Sequence, residues 1–275
     1  MERSEGEKYL KIKESFASLR SAAVRRLMQM HCDSHIGHIG GNLSCLDTLL
    51  LLHHHIMQHD DLFVLSKGHA AGALYITLWS LGELDDSLLT TFHADGSRLG
   101  GHPLSNWHPR IPVSTGSLGH GLPMAVGMAL AKKLRGEPGR VYCLTSDGEW
   151  QEGSNWEALI FACHHRLQQL TILVDHNGWQ GFGSTTEVAS MADLAPRIAA
   201  FGPVVTSVNG HDPVALYQAL TQMNAVPVQP AVLLLETIKG HGISFMENRL
   251  ESHYLPLDKA GLELALRELA GRAGS

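Results

Sequence analysis

Asp147-Gly148-Glu149 follows a run of apolar residues, Val141-Tyr142-Cys143-Leu144, with Thr145-Ser146 between them, and Glu152 comes three residues after Glu149. Thirty residues after Asp147 a second apolar run, LTILVD, leads into His176-Asn177-Gly178-Trp179. Carboxylate and amide oxygens at the ends of two buried strands suit a hard cation such as Mg²⁺, which takes oxygen ligands in a near-octahedral array at about 2.0–2.1 Å. Asp147 and Asn177 are the candidate ligands. The backbone carbonyl of Trp179 is a third, because Gly178 lets the chain turn sharply. Phosphate oxygens of a bound molecule would complete the shell. Gly148 lets the backbone approach that anion, and a helix starting near residue 152 would aim its N-terminus at it. Asp-Gly after one strand is equally a turn with a helix cap; its echo after a second strand points to chemistry.

Histidine is the compositional anomaly, with eighteen in the chain. It is the side chain best placed for proton transfer near neutral pH. Gly37-His38, Gly68-His69 and Gly101-His102 each set a histidine where the backbone can approach a ligand closely. His53-His54-His55, His59 and His164-His165 lie in apolar-periodic stretches and read as helix or surface residues. No H-x-x-x-H or H-E-x-x-H pair sits on a plausible catalytic helix, which argues against a zinc site.

The elements that must position these residues follow from the pattern. Helical spacing covers residues 8–31, 44–58, 69–81 and 119–135, with Ser44 as the expected N-cap of the second helix and Asp47 in a capping-box position. After Pro138-Gly139 the pattern alternates. Strands over 141–146, 170–175, 203–208 and 231–237 are separated by helices over 152–165, near 190–200 and over 212–224; a last helix spans 258–271. Short apolar strands between helices predict an α/β fold, a doubly wound, mainly parallel sheet with helices on both faces. Ligands in such sheets bind beyond the carboxyl ends of the strands, where Asp147 and Asn177 lie.

The chain has 275 residues, 44% of them hydrophobic, and a net charge of −6. The longest basic blocks are pairs such as Lys132-Lys133, which argues against nucleic acid as the main partner. No apolar run approaches the roughly 20 residues that span a bilayer, and the polar N-terminus is not a secretory signal. Four scattered cysteines without a C-x-x-C pair predict reduced thiols in a cytoplasmic protein. No internal repeat or linker is evident, so residues 1–275 are expected to form one domain.

Several motifs, in order, make the chain similar to the N-terminal, diphosphate-binding domain of transketolase, over about residues 12–257. More narrowly, it resembles the small subunit of split transketolases. DSHIGHIGGNLS (33–44) carries His38, DLFVLSKGHAAGALY (61–75) His69, LGGHPL (99–104) His102, STGSLGHGLPMAVGMALA (114–131) a Gly-rich loop, and KGHGISFMENRLESHYLP (239–256) His253. Asp147-Gly148 followed by Asn177 resembles the family's metal and diphosphate signature. The resemblance implies thiamine diphosphate and Mg²⁺ (or Ca²⁺ or Mn²⁺) as cofactors and the transfer of a two-carbon ketol unit from a ketose to an aldose. It implies His38 and His102 on the donor sugar, and His69 and His253 near diphosphate and substrate. Ser117, Leu118, Gly119, Gly148 and Asn177 are implied cofactor contacts, with Glu149 grouped beside them. Glu152 is implied at the interface between cofactor sites, as a proton relay. Its alternative role is first-turn helix electrostatics.

Family enzymes continue into a second domain that holds the aminopyrimidine ring. A partner subunit carrying that pyrimidine-binding domain is therefore expected, in an α2β2 assembly. Three positions depart from the family pattern: Ser146 stands where Gly is usual, His120 where Gln is usual, and Tyr254 where Gly is usual. The alternatives are the α subunit of a 2-oxo acid dehydrogenase and a non-catalytic regulatory subunit of the same fold. An NAD-binding Rossmann domain is excluded, since no strand leads into G-x-G-x-x-G.

Overall fold

A computed structural model describes residues 2–225 and 228–272. The helices are α1 (Glu2–Ser34), α2 (Ile39–Leu51), α3 (Ala71–Ser80), α4 (Asp86–Leu89), α5 (Gly121–Arg135), α6 (Gly153–His164), α7 (Thr185–Val188), α8 (Leu194–Ala199), α9 (Pro213–Ala225), α10 (Glu251–Tyr254) and α11 (Lys259–Arg272). The strands are β1 (Leu62–Leu65), β2 (Val141–Ser146), β3 (Leu170–His176), β4 (Trp179–Gln180), β5 (Gly183–Ser184), β6 (Val204–Asn209) and β7 (Ala231–Glu236). Five strands form one parallel sheet in the order β1-β2-β3-β7-β6, and β4-β5 is a small antiparallel hairpin. No described helix is long and apolar enough to cross a membrane.

Alternation along the central strands explains the two-sided cover. Tyr142, Leu144, Leu173, Leu233 and Leu235 face a core shared with α1, α2 and α3. Val141, Cys143, Ile172, Val174, Val232 and Leu234 face the opposite core, shared with α5 and α6. The expected α/β sheet with helices on both faces is the observed architecture. The sheet has one strand more than the alternating pattern suggested. Leu62–Leu65, within a segment read only as a motif, pairs with β2.

The start of α2 also differs from expectation. The helix begins at Ile39, so Ser44 is not a cap but a buried interior residue, and Asp47 is buried one turn further on. Gly40-Gly41 signals close packing here, not a turn: a Cβ at Gly40 would lie 2.2 Å from the Ser252 hydroxyl. The histidine run lies in the helical turn Leu52–Ile56, within the stretch read as helix, and its first member, His53, is buried edge-on against Phe63 at 5.0 Å.

Candidate active site

Parallel pairing of β2 with β3 sets Ser146 beside Asp175, so the two strand ends deliver their polar residues to one place. Asp147 is fully buried at the mouth of a 3₁₀ turn, Gly148–Gln151. Its carboxylate accepts the N–H of Gly148 at 2.8 Å and that of Gly178 at 2.6 Å, tying the two loops together. Asn177 donates to Asp175 at 3.0 Å and accepts the N–H of Trp179 at 3.0 Å. Burial, and then the neighbouring charge of Asp175, push the Asp147 pKa up to about 7, against the pull of the two backbone amides. A buried carboxylate held only by N–H dipoles, beside an amide oxygen, is a donor set that fits a hard cation.

Asp175 is the counterpart with its charge already met. Lys67 makes an ion pair with it and also donates to the Gly41 carbonyl at 2.9 Å. Ser44 donates to the same carboxylate at 2.6 Å, and Thr237 donates to its other oxygen. Burial would raise the Asp175 pKa, but Lys67 outweighs it and holds the group below the carboxylate range. Neither Lys67 nor Asp175 was singled out by sequence reasoning. The available signal was Lys67-Gly68-His69, a lysine in an otherwise apolar, Gly-rich setting.

A cavity of about 470 Å³ opens above this floor. Its wall includes His38, His69, His102, His253, Asn177 and Lys239. The four imidazoles gather from four separate segments. The His38 ring centroid lies 5.7 Å from that of His69, 6.3 Å from His102 and 5.0 Å from His253. His38 sits in the left-handed region at φ 65°, and its N–H donates to the His253 carbonyl at 2.8 Å. Asn42, fully buried, donates to the carbonyls of His38 at 2.8 Å and His69 at 3.4 Å. Asn42 thus fixes both loops, and sequence reasoning missed it.

Burial lowers the pKa of all four histidines. The effect is reinforced by His102 at His38, by Lys67 at His69, by His93 at His102, and by Lys239 at His253, which falls to about 3. The cavity therefore presents neutral rings that accept or donate hydrogen bonds near neutral pH. Lys239 is the one lysine or arginine that lines it, 2% exposed, with its Nζ 3.0 Å from His253 Nδ1. Burial and the nearby charge of Lys67 bring its pKa down to about 8. It makes no ion pair among the described residues. A buried ammonium without a carboxylate, next to the helical turn at Gly148, fits an anionic group such as a diphosphate.

The remaining expected residues divide. Leu118, Gly148 and Glu152 line the cavity, with Glu152 exposed at its rim as the uncapped start of α6. Ser117 and Gly119 face a neighbouring, mostly apolar cavity of about 860 Å³ between α5 and α6. Gly119 is needed for its conformation, at φ 79°, and because a Cβ there would lie 2.6 Å from Glu152 Cβ. Glu149, like Asp147, is fully buried and is not part of the cavity wall. It accepts from Ser66, from the Gly119 N–H at 2.9 Å and from the Ser146 N–H at 3.2 Å, bracketing the Gly-rich loop onto β1 and β2. Trp179 belongs to the β4-β5 hairpin at the cavity edge. Tyr254 donates its hydroxyl to the Gly181 carbonyl, joining α10 to that hairpin across the cavity mouth.

An open parallel sheet with a buried carboxylate, a buried lysine and four neutral histidines beyond its strand ends offers groups that suit an anionic, hydroxylated ligand. Comparison with known proteins narrows this. The family described as the thiamine diphosphate binding domain of transketolase matches residues 23–272. The chain belongs to the transketolase family. It is 36% identical over 261 residues to one subunit of the apulose-4-phosphate transketolase of Actinobacillus succinogenes, covering 91% of this chain and 94% of that protein. It is 37% identical over 243 residues to one subunit of the 6-deoxy-6-sulfo-D-fructose transketolase of a Clostridium species, covering 85% and 88%. Among solved structures, transketolase from Leishmania mexicana superimposes with a TM-score of 0.84 at 26% identity, covering 93% of this chain and 41% of that one. A Pichia stipitis transketolase variant gives 0.85 at 26%, covering 92% and 41%. The chain thus spans about two fifths of the solved transketolases and nearly all of the separate subunits. It corresponds to the N-terminal subunit of a split, thiamine-diphosphate-dependent transketolase, a transferase that works as part of a multi-subunit enzyme.

Proposed function

We propose that this chain, as a single domain over residues 1–275, holds the diphosphate end of thiamine diphosphate in a cytoplasmic transketolase that transfers a two-carbon ketol unit from a ketose to an aldose. The observation that carries this reading is the meeting of Asn177, Lys239 and four neutral histidines in one cavity, with Asp147 buried next to it and bonded to the Gly178 N–H. Bound thiamine diphosphate supplies the carbanion stabilisation that ketol transfer requires. Asp147, Asn177 and the Trp179 carbonyl would hold Mg²⁺, or Ca²⁺ or Mn²⁺ in its place. Lys239 and the backbone around Gly148 meet the phosphate charge. His38 and His102 orient the hydroxyls of the donor sugar. His69 and His253 stand where phosphate and sugar adjoin, and neutral rings there can take up and return hydroxyl protons. Glu152, exposed beside the cavity, is assigned to the interface between cofactor sites as a proton relay.

The pyrimidine-binding domain belongs, in this reading, to a partner subunit in an α2β2 complex. The two named relatives act on sugars with a phosphate or a sulfo group. Lys239 is committed to the cavity floor, so we assign recognition of a charged sugar terminus to the partner. The test is to purify the chain alone and with its partner, add Mg²⁺ and thiamine diphosphate, and assay ketol transfer. Activity is expected only in the complex. Substantial turnover by the chain alone refutes the split site. Pyruvate decarboxylation without ketol transfer favours the 2-oxo acid dehydrogenase alternative.

A further inference from the structure

A second cluster of titratable side chains lies behind the cavity. Among the described residues, Asp47, His211 and His241 are the one trio of metal-ligand type whose donor atoms all lie within 4.8 Å of one another. Hydrogen bonding decides against an ion. His211 Nε2 accepts the N–H of Ile238 at 2.9 Å, so its proton sits on Nδ1 and is donated to Asp47 at 2.8 Å. A metal-bound histidine normally donates its far N–H to an acceptor. Here the far partner is itself a donor, and both ring nitrogens are committed.

The contacts continue beyond this pair. Asp47 accepts on its other oxygen from Arg20 Nε at 2.6 Å. Burial would raise the Asp47 pKa, but the hydrogen bond from His211 and the charge of Arg20 outweigh it and keep the group ionised. His241 stacks on His211, with ring centroids 3.5 Å apart and planes 22° from parallel. Arg20 comes from α1, Asp47 from α2, His211 from the turn between β6 and α9, and Ile238 from just beyond β7. The series ends one residue before Lys239. On the other side of that lysine, the Gly240 N–H donates to the Gly40 carbonyl at 3.0 Å. Backbone amides on both flanks of Lys239 are therefore pinned, one by a charged series and one by α2.

We propose that Arg20, Asp47 and His211 are positioning residues, a hydrogen-bond relay that fixes the Ile238 N–H and through it holds the Lys239 ammonium against His253 at the anion-binding end of the cavity. The meaning for catalysis rests on the thiamine-diphosphate reading; the placement of Lys239 does not. Lys239 is 2% exposed in a segment outside the sheet whose neighbours Thr237, Ile238 and His241 are only half-buried, so local opening there would let the ammonium return to water.

Brief acetylation with acetic anhydride, read by peptide mass spectrometry, measures this on the purified chain. His211→Ala is expected to raise Lys239 labelling by about tenfold. Lys67, held by Gly41 and Asp175 without the relay, stays protected. His211→Gln, whose amide offers both a donor and an acceptor, restores part of the protection. Unchanged Lys239 labelling in His211→Ala overturns the relay, as does equal exposure of Lys67 and Lys239 through general opening. Asp47→Asn is the second variant if His211→Ala does not fold: selective Lys239 labelling supports the relay, and wild-type protection overturns it. Calorimetry with thiamine diphosphate and Mg²⁺, on the complex with the partner subunit, separates the two readings. No binding there, together with selective labelling, overturns the cofactor reading and leaves the relay standing.

Discussion

The tripeptide Lys-Gly-His occurs twice, as Lys67-Gly68-His69 after β1 and as Lys239-Gly240-His241 after β7. Both lysines are buried, at 1% and 2% exposure, yet their chemistry is opposite. Lys67 faces a carboxylate, and although burial opposes its charge, Asp175 raises its pKa above the lysine range. Lys239 stands beside an imidazole instead, and burial, then the charge of Lys67, bring its pKa down to about 8. The histidines diverge as well. His69 joins the cavity, while His241 turns away and stacks on His211. Identical local sequence thus yields a closed ion pair in one loop and a lysine without an ion pair among the described residues in the other. Charge partners brought from distant strands set the difference.

The largest effect is expected from breaking the closed pair. Lys67→Met leaves the Asp175 carboxylate buried without its cation and should cost about 3–5 kcal/mol of stability in denaturant unfolding. A loss below about 1 kcal/mol would mean that the hydroxyls of Ser44 and Thr237 alone suffice.

The next effect concerns the buried neutral histidines. Burial lowers His31 to about 4 and His53 to about 3. The unfolded chain then binds more protons below pH 6.5, so their contribution is intact above that pH and is lost progressively as the pH falls toward 4. Each should contribute a slope of about 1.4 kcal/mol per pH unit in that window. His31→Phe should flatten the curve; an unchanged acid profile would place the titration elsewhere.

A smaller effect tests the open member. Lys239→Met removes a cation that has no carboxylate, so unfolding stability should hold or rise slightly. Thiamine diphosphate affinity in the assembled enzyme should fall about tenfold or more, the scale of one charge-assisted hydrogen bond. Equal affinity by calorimetry would remove Lys239 from the anion site. The smallest effect is expected at Ser146→Gly. Its N–H is held by Glu149 in either case, so binding should stay within about twofold or tighten slightly. Clear weakening would reveal a role for the hydroxyl.

Much of this site could be read from order and spacing. Asp147 and Asn177 follow apolar runs of strand length, and in a parallel sheet that places both beyond the carboxyl edge. The Gly-His pairs marked three of the four cavity histidines, because glycine beside a polar residue signals close approach. Other features were hidden for identifiable reasons. β1 is only four residues long and runs straight into a motif, so periodicity had little to work on. Ser44 looked like a cap because Asp47 stands three residues after it, in a capping-box position. Glu149 stands next to the signature and still turns inward, which a one-dimensional pattern cannot register.

What the sequence determined by itself was the fold class, the family and the residues that can do chemistry, since these depend on local periodicity and motif order. What only the tertiary structure decided was which charges are satisfied. Asp175 and Asp147 both stand at strand ends, but Lys67 reaches one and backbone amides alone reach the other. Such pairings join residues more than a hundred positions apart, as Ser44 and Lys67 meet Asp175. In a low-dielectric interior it is this placement, not residue type, that settles which group is closed and which awaits a ligand.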